Sequence, residues 1–126
     1  MIRIRDDIDV GVATHTGPVR STNEDDYLVL EPRDEPAFAA RGRLFVLADG
    51  MGGVAGGAEA SRTAVRAVGF AFFDVDDETT GIPAALSRGF VAASTQVFEM
   101  SRSSPQLAEM GTTLTALCLH LSLIHI

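Results

Sequence analysis

The chain carries the run Leu44-Phe45-Val46-Leu47-Ala48-Asp49-Gly50-Met51-Gly52-Gly53, in which five apolar residues lead directly into an aspartate and a glycine-rich turn. The apolar run predicts a buried strand, and the glycines allow the backbone to turn tightly and to approach other groups closely. A carboxylate held at that point is suited to binding a metal ion. Asp-Gly also occurs in plain turns, because the glycine supplies the positive φ that tight turns need, so the run alone leaves both interpretations open.

Length and charge restrict the kind of protein. The 126 residues are enough for one modest domain, and 46% hydrophobic residues are enough to build a core. Seventeen acidic against ten basic residues give a formal net charge of −7, which argues against nucleic acid or an anionic membrane as the main partner. An anionic substrate would therefore need a local reversal of charge, and a bound divalent cation could supply it.

The cysteine content and the N-terminus point to the compartment. The single cysteine, Cys118, lies in an apolar run, so we expect a buried, inert thiol and neither a disulfide framework nor a thiolate zinc site in this chain. Residues 1–7 become charged before any hydrophobic stretch of signal-peptide length, and no apolar run is long enough to span a bilayer. We therefore expect a cytoplasmic location and no membrane contact within this segment.

Hydrophobic periodicity predicts three strands, two helices and then strands again. The expected elements are strands over residues 8–16, 27–30 and 44–48, helices over roughly 60–72 and 82–97 joined by an acidic link at 74–78, and a strand over 111–119. Closely spaced strands without a helix between them favour antiparallel pairing. Residues 114–126 are almost wholly apolar, so a hairpin there would lack its usual turn chemistry, and we expect the natural protein to continue beyond Ile126.

Two polar clusters follow or precede predicted strands, Arg20-Ser21-Thr22-Asn23-Glu24-Asp25 and residues 49–53. Together they offer an arginine and three carboxylates. Carboxylates are hard oxygen ligands that select Mg²⁺ or Mn²⁺ rather than zinc, and a guanidinium can grip a phosphoryl group with two hydrogen bonds. This combination fits metal-assisted phosphate hydrolysis. Arg20 could equally pair with Glu24 or Asp25 on the surface, because such pairs are common and weak.

Three motifs occur in order along the chain: Gly17-x-x-Arg20-x-x-Asn23-Glu24-Asp25, then residues 46–53, then Gly111-Thr112-Thr113. In order and approximate spacing they resemble the metal-dependent PPM (PP2C-like) protein serine/threonine phosphatases in their bacterial form. The resemblance implies an α+β fold, an α-β-β-α sandwich of two antiparallel sheets flanked by helices. Residues 8–126 would be the N-terminal portion of such a domain, incomplete at the C-terminus, and residues 1–7 a short extension.

The resemblance also implies a site with two Mn²⁺ or Mg²⁺ ions. Asp49 would bridge the two ions, the Gly50 carbonyl would bind one of them, and Glu24 would act on the metal shell through water. Arg20 would hold the substrate phosphate, and with Asp49 it is the expected catalytic residue. Asp25 is a weaker candidate, equally readable as a carboxylate that supports the loop.

The implied reaction is hydrolysis of phosphoserine and phosphothreonine in proteins by a metal-activated water. The implied partners are phosphoprotein substrates and a cognate serine/threonine kinase whose action the phosphatase opposes.

Two departures from the family pattern bear on activity. Met51 stands where many eukaryotic members carry a histidine assigned as general acid, and a thioether cannot donate a proton. The family's later acidic motifs, of the Gly-Asp-Ser, Asp-Gly and Asp-Asn type, do not occur after Gly111. Each ion would then lack much of its anionic ligand set, so we expect the 126-residue chain to be inactive by itself.

Two other functions remain open at this point. One is a non-catalytic PP2C-like domain that keeps the fold and uses it to regulate or bind a partner. The other is a dinucleotide-binding module, because Gly50-x-Gly52-x-x-Ala55 follows a strand and precedes a helix, with Asp74 where a ribose-binding acid could fall. Asp49 argues against the second, since it would repel a pyrophosphate.

Overall fold

The computed structural model describes residues 5–74, 79–121 and 123–126, which form one antiparallel sheet packed against helices. The strands are β1 (Asp25–Leu30), β2 (Arg43–Met51), β3 (Gly111–Thr112), β4 (Thr115–His120) and β5 (Leu123–His125). The helices are α1 (Glu35–Arg41), α2 (Gly53–Phe72) and α3 (Ile82–Ser101), with a short 3₁₀ helix at Pro105–Leu107. The predicted α+β class is confirmed. These residues supply one five-stranded sheet and three α-helices.

The sheet has the strand order β1-β2-β4-β5, and β3 pairs with the end of β2. β2 is antiparallel to both of its long neighbours, β1 and β4. A dinucleotide-binding βαβ unit requires parallel strands around its crossover helix, so the dinucleotide interpretation is wrong. Within the described ranges, we find no helix with the length and apolar character needed to cross a bilayer.

The helices form because their apolar residues recur at helical spacing. Ala60, Ala64, Val68 and Phe72 follow one another at intervals of four on α2, and all four are buried. Ala64, Val68 and Phe72 pack with the inward side chains of β2 and with one face of α3 into a single core. The core side chains from the sheet and α3 are Leu44, Val46, Ala48, Ala116, Cys118, Ile82, Ala85, Leu86 and Ala93.

The C-terminus of α2 is held by two arginines from other helices. The buried Arg41 of α1 donates from Nε to the Phe72 carbonyl at 3.1 Å and from a terminal nitrogen to the Thr80 carbonyl at 2.5 Å. Arg88 of α3 donates to the Ala71 carbonyl at 2.7 and 3.1 Å. A helix end presents unpaired carbonyls and partial negative charge, so cations placed there stabilise it.

Three sequence expectations are corrected by the structure. Residues 8–16 form no strand, because no described strand lies beside them to pair with their backbone, and Val10 and Val12 remain exposed. Helix α1, which the hydrophobic periodicity did not predict, follows β1, and its N-cap Asp34 accepts a hydrogen bond from the Ala37 amide at 2.9 Å. Residues 75–78 of the expected acidic link lie outside the described residues.

The third correction concerns the apolar end of the chain. β4 and β5 form a hairpin in which Cys118 pairs with His125 and His120 with Leu123. Leu121, in the connection, takes a φ of 57°. A leucine seldom adopts the left-handed conformation, so this hairpin forms without the glycine or asparagine that normally signals such a turn.

Candidate metal and phosphate site

Strand pairing brings the three sequence motifs to one end of the sheet. β1 begins where β2 approaches its end, so Asp25 lies directly opposite Asp49. On the other edge of β2, Gly50 pairs with Thr112 and Met51 with Gly111. Residues that are 24 to 62 positions apart in sequence therefore meet because the strands are antiparallel.

The backbone amide and carbonyl of Asp49 are both held by Thr113. Its amide donates to the Thr113 hydroxyl oxygen at 3.1 Å, and its carbonyl accepts from the Thr113 amide at 2.9 Å. The Asp49 side chain itself is exposed, at the edge of an open cleft of about 230 Å³ that Asp25, Tyr27 and Leu47 also line. The main chain is thus fixed while the carboxylate remains accessible to a ligand.

The carboxyl groups of Asp25 and Asp49 are close enough to perturb each other. Partial burial raises the pKa of the Asp25 carboxyl above its ordinary value, and the negative charge of Asp49 and a hydrogen bond with it raise that pKa further, against the opposing effect of Arg20. Two carboxylates brought together in this way repel each other unless a proton or a cation lies between them. The pair is a donor set of the kind that Mg²⁺ or Mn²⁺ binds, so these residues fit such an ion.

Glu24 approaches the site from the other side of the sheet. Its carboxyl group lies against Gly57 of α2, where a Cβ would be 2.7 Å from the Glu24 Cδ. Side chains alternate across a strand, so Glu24 and Asp25 project in opposite directions. Within residues 5–74, 79–121 and 123–126, no group of three or more His, Cys, Asp or Glu side chains is arranged to hold a metal ion.

Arg20 forms the ion pair that its spacing allows. A terminal guanidinium nitrogen lies 3.2 Å from Glu24 Oε2, while the arginine side chain remains 68% exposed. The open interpretation of Arg20 as a partner of Glu24 therefore matches the structure. An exposed pair of this kind contributes little to stability, so the guanidinium can exchange its partner at small cost.

The glycine turn after Asp49 serves backbone geometry. Gly52 has a φ of 125°, and a Cβ there would lie 2.6 Å from the Met110 Cα. Only glycine fits this position, which starts α2. Met51 lies beside it with its side chain 60% exposed and carries no proton to donate.

Sequence reasoning missed three residues that hold the site. Thr113, expected to start a core strand, instead brackets the Asp49 backbone. Asn23 accepts from the Asp25 amide at 3.0 Å and donates to the Thr14 hydroxyl at 2.8 Å. Ser61 of α2 donates to the Glu24 carbonyl at 2.7 Å. Asn23 and Thr113 lie inside the first and third sequence motifs. Nothing in the sequence around Ser61 distinguishes it from other small residues of the helix.

Comparison with known proteins points to one kind of enzyme. The serine/threonine protein phosphatase PstP of Mycobacterium tuberculosis is 35% identical to this chain over 113 residues, which are 87% of the chain. The crystal structure of PstP from the same organism superposes with a TM-score of 0.62 at 34% identity over 83% of the chain. The PPM Ser-Thr phosphatase MsPP of Mycobacterium smegmatis, solved in complex with cacodylate, gives a TM-score of 0.62 at 34% identity over 85% of the chain. No protein-family model matches the sequence.

The matches cover most of this chain but only part of each relative. The chain spans 20% of the length of the curated PstP proteins, and 39% and 38% of the two solved chains. The shared fold is α+β. Over most of its length, this chain is therefore homologous to part of PstP and to part of MsPP, which are serine/threonine phosphatases.

Proposed function

We propose that the protein containing this chain hydrolyses phosphoserine and phosphothreonine in proteins with the help of two Mn²⁺ or Mg²⁺ ions. The observation that carries the proposal is the pairing of Asp25 with Asp49 at the start of β1 and the end of β2, in a chain homologous to PPM phosphatases. Residues 8–126 would form the first part of the catalytic domain. A cognate serine/threonine kinase would supply the substrates, and the location would be cytoplasmic.

In this proposal each residue of the site has a separate task. The exposed carboxylate of Asp49 and the carbonyl of Gly50 would hold the ions, and Glu24 would act on their ligand shell through water. When bound, the cations supply positive charge that neutralises the phosphate and activates water for attack on phosphorus. Asp25 supports the loop and places a second carboxylate against Asp49.

Arg20 would bind the substrate phosphate. Its guanidinium is mostly exposed and is paired at 3.2 Å with Glu24, so it can turn from that carboxylate to an incoming phosphoryl group. Two parallel N–H bonds to phosphate are stronger than one bond to a carboxylate, which favours the exchange. The same movement would free the Glu24 carboxylate to act on the metal shell.

The test of this proposal is Asp49→Asn in the full-length protein. Losing a direct ligand should lower Mn²⁺-dependent hydrolysis of a phosphothreonine peptide by more than about 100-fold, since changes in the outer shell alone typically cost up to that much. Glu99→Gln, which neutralises an exposed carboxylate on α3, is the matched control and should leave the rate unchanged. Retained turnover in Asp49→Asn would refute the role given to Asp49.

We further propose that the 126-residue chain alone does not turn over phosphate esters. The support is that the described residues bring two acidic side chains together here, Asp25 and Asp49, and no group of three. A metal site with so few anionic ligands should bind weakly. Mn²⁺-dependent hydrolysis of an aryl phosphate by the purified chain would contradict this.

The small number of acidic side chains that meet in the described residues also supports a second candidate. This is a PP2C-like domain that binds or regulates a partner without catalysis. The two candidates differ in a direct measurement. Full-length protein that binds no Mn²⁺ in a titration and hydrolyses no phosphopeptide would favour the binding domain over the phosphatase.

A further inference from the structure

Ser61 is a polar residue buried within the largely apolar face of α2. Its side chain is 1% exposed, and its neighbours on that face include Ala60, Ala64 and Val65. A buried hydroxyl needs a hydrogen-bond partner, and a serine inside a helix usually finds one in a carbonyl of the preceding turn. Here that carbonyl, of Ala58, lies 3.2 Å from Oγ, whereas the Glu24 carbonyl lies at 2.7 Å. The shorter bond therefore leaves the helix and reaches the candidate site.

The Glu24 carbonyl also accepts a hydrogen bond from β2, the strand that carries Asp49 and Gly50. The Gly50 amide donates to it at 3.1 Å, so one oxygen receives hydrogen bonds from β2 and from α2. This oxygen belongs to the residue immediately before β1. A single acceptor thus joins the three elements that present the candidate residues.

The helical turn before Ser61 also contacts the candidate site, through Gly57. A Cβ on Gly50 would lie 2.0 Å from the Gly57 carbonyl oxygen, and a Cβ on Gly57 would lie 2.9 Å from Glu24 Oε2. Gly57 and Ser61 are four residues apart, so they lie on the same face of the helix. That face therefore receives the Glu24 side chain at Gly57 and the Glu24 main chain at Ser61.

We propose that Ser61 is a positioning residue of the candidate site, whose hydroxyl holds the Glu24 carbonyl and thereby fixes the peptides that present Glu24 and Gly50. This inference rests on the proposed function, in which Glu24 and the Gly50 carbonyl serve the metal ions. Ser61 acts through these groups and touches neither metal nor substrate. It adds to the site a residue from the helix, outside all three sequence motifs.

The test compares Ser61→Ala, Ser61→Thr and the control Thr63→Ala in the full-length protein. Thr63 lies on the same helix and bonds the Met100 sulfur at 3.5 Å, so its loss also removes a hydroxyl from α2 but leaves the site alone. Ser61→Ala leaves the buried acceptor paired, because the Glu24 carbonyl still accepts from the Gly50 amide, and the variant should fold. Threonine keeps the hydroxyl and should restore the wild-type behaviour.

Two measurements are needed, and the first requires no metal. In EDTA, hydrogen exchange of a peptide covering residues 47–51 should be roughly fivefold faster at the Gly50 amide in Ser61→Ala, the effect of weakening one hydrogen-bond network. The dissociation constant for Mn²⁺ alone, from the signal of the free ion in electron paramagnetic resonance, should rise about tenfold, as for other outer-shell changes. Thr63→Ala should change neither quantity.

Each outcome bears on one claim. Faster exchange with weaker Mn²⁺ binding in Ser61→Ala, restored in Ser61→Thr, supports the positioning role. Unchanged Mn²⁺ binding in Ser61→Ala overturns it, whether or not the exchange rate moves. Wild-type protein that neither binds Mn²⁺ nor hydrolyses phosphopeptides refutes the proposed function instead, so the two failures are distinguishable.

Discussion

Replacing Arg41 with methionine should destabilise the fold by about 3 kcal/mol. Methionine keeps most of the volume of the arginine stem but none of the donors, so the Phe72 and Thr80 carbonyls each lose a charge-assisted hydrogen bond. Such bonds are worth about 1.5 to 3 kcal/mol each, and the favourable charge at the end of α2 is lost as well. Partial access of water to the freed carbonyls reduces the sum of two bonds toward the lower figure. The whole fold is held by only about 5 to 15 kcal/mol, so this loss is large.

The assay is equilibrium unfolding in urea, with Arg62→Met as the matched control. Arg62 is an exposed arginine of α2 that pairs with Glu59 at 3.1 Å, and its loss should cost less than about 0.5 kcal/mol. The free energy of unfolding of Arg41→Met should fall well below that of Arg62→Met at an unchanged denaturant slope. A loss under about 1 kcal/mol for Arg41→Met would refute the argument that a buried guanidinium secures the end of α2.

Two further predictions follow from groups whose pKa is shifted. Because the pKa of Asp25 is raised in the folded protein, its contribution to stability is present below its ordinary pKa of 3.8 and is lost as pH rises through the higher folded value. In EDTA, Asp25→Asn should therefore be more stable than wild type at pH 7. The two proteins should be equally stable near pH 3. A less stable variant at pH 7 in urea titrations would contradict the carboxylate repulsion. Burial raises the pKa of the Cys118 thiol to about 11, and its Sγ donates to the Arg41 carbonyl at 3.0 Å, so the folded chain at pH 8 should resist an aromatic disulfide reagent and react on unfolding. Rapid stoichiometric labelling of the native chain would show that Cys118 is accessible.

The parts of the fold that could be predicted are those with a strong local signal. The two long helices follow from apolar residues at intervals of three to four, and β1 and β2 from apolar runs that end at turns. The meeting of Asp25 and Asp49 at one sheet end could be foreseen because both adjoin strand ends that antiparallel pairing brings together.

The remaining features depend on partners distant in sequence. The alternation over residues 8–16 satisfies the pattern of a strand, but a strand also needs a neighbour, and the described chain provides none there. The buried Arg43 reads as a surface charge, yet it bonds the buried Glu31 at 2.6 Å, a residue twelve positions away. Helix α1 did carry local signals, the N-cap Asp34 and a proline in its first turn, and these could have been recognised.

The opposition of Asp25 and Asp49 has a consequence for how the site can fail. A slip of one residue between β1 and β2 would send Asp25 through the sheet to the helical side and expel Leu28 and Leu30 from their contacts with the core. The packing of Leu28 and Leu30 therefore fixes the register that places Asp25 opposite Asp49, although the two leucines lie on the other face of the sheet. Changes in the loop between the strands can be absorbed without moving the two carboxylates, whereas misalignment of the site by slippage requires the core to come apart first.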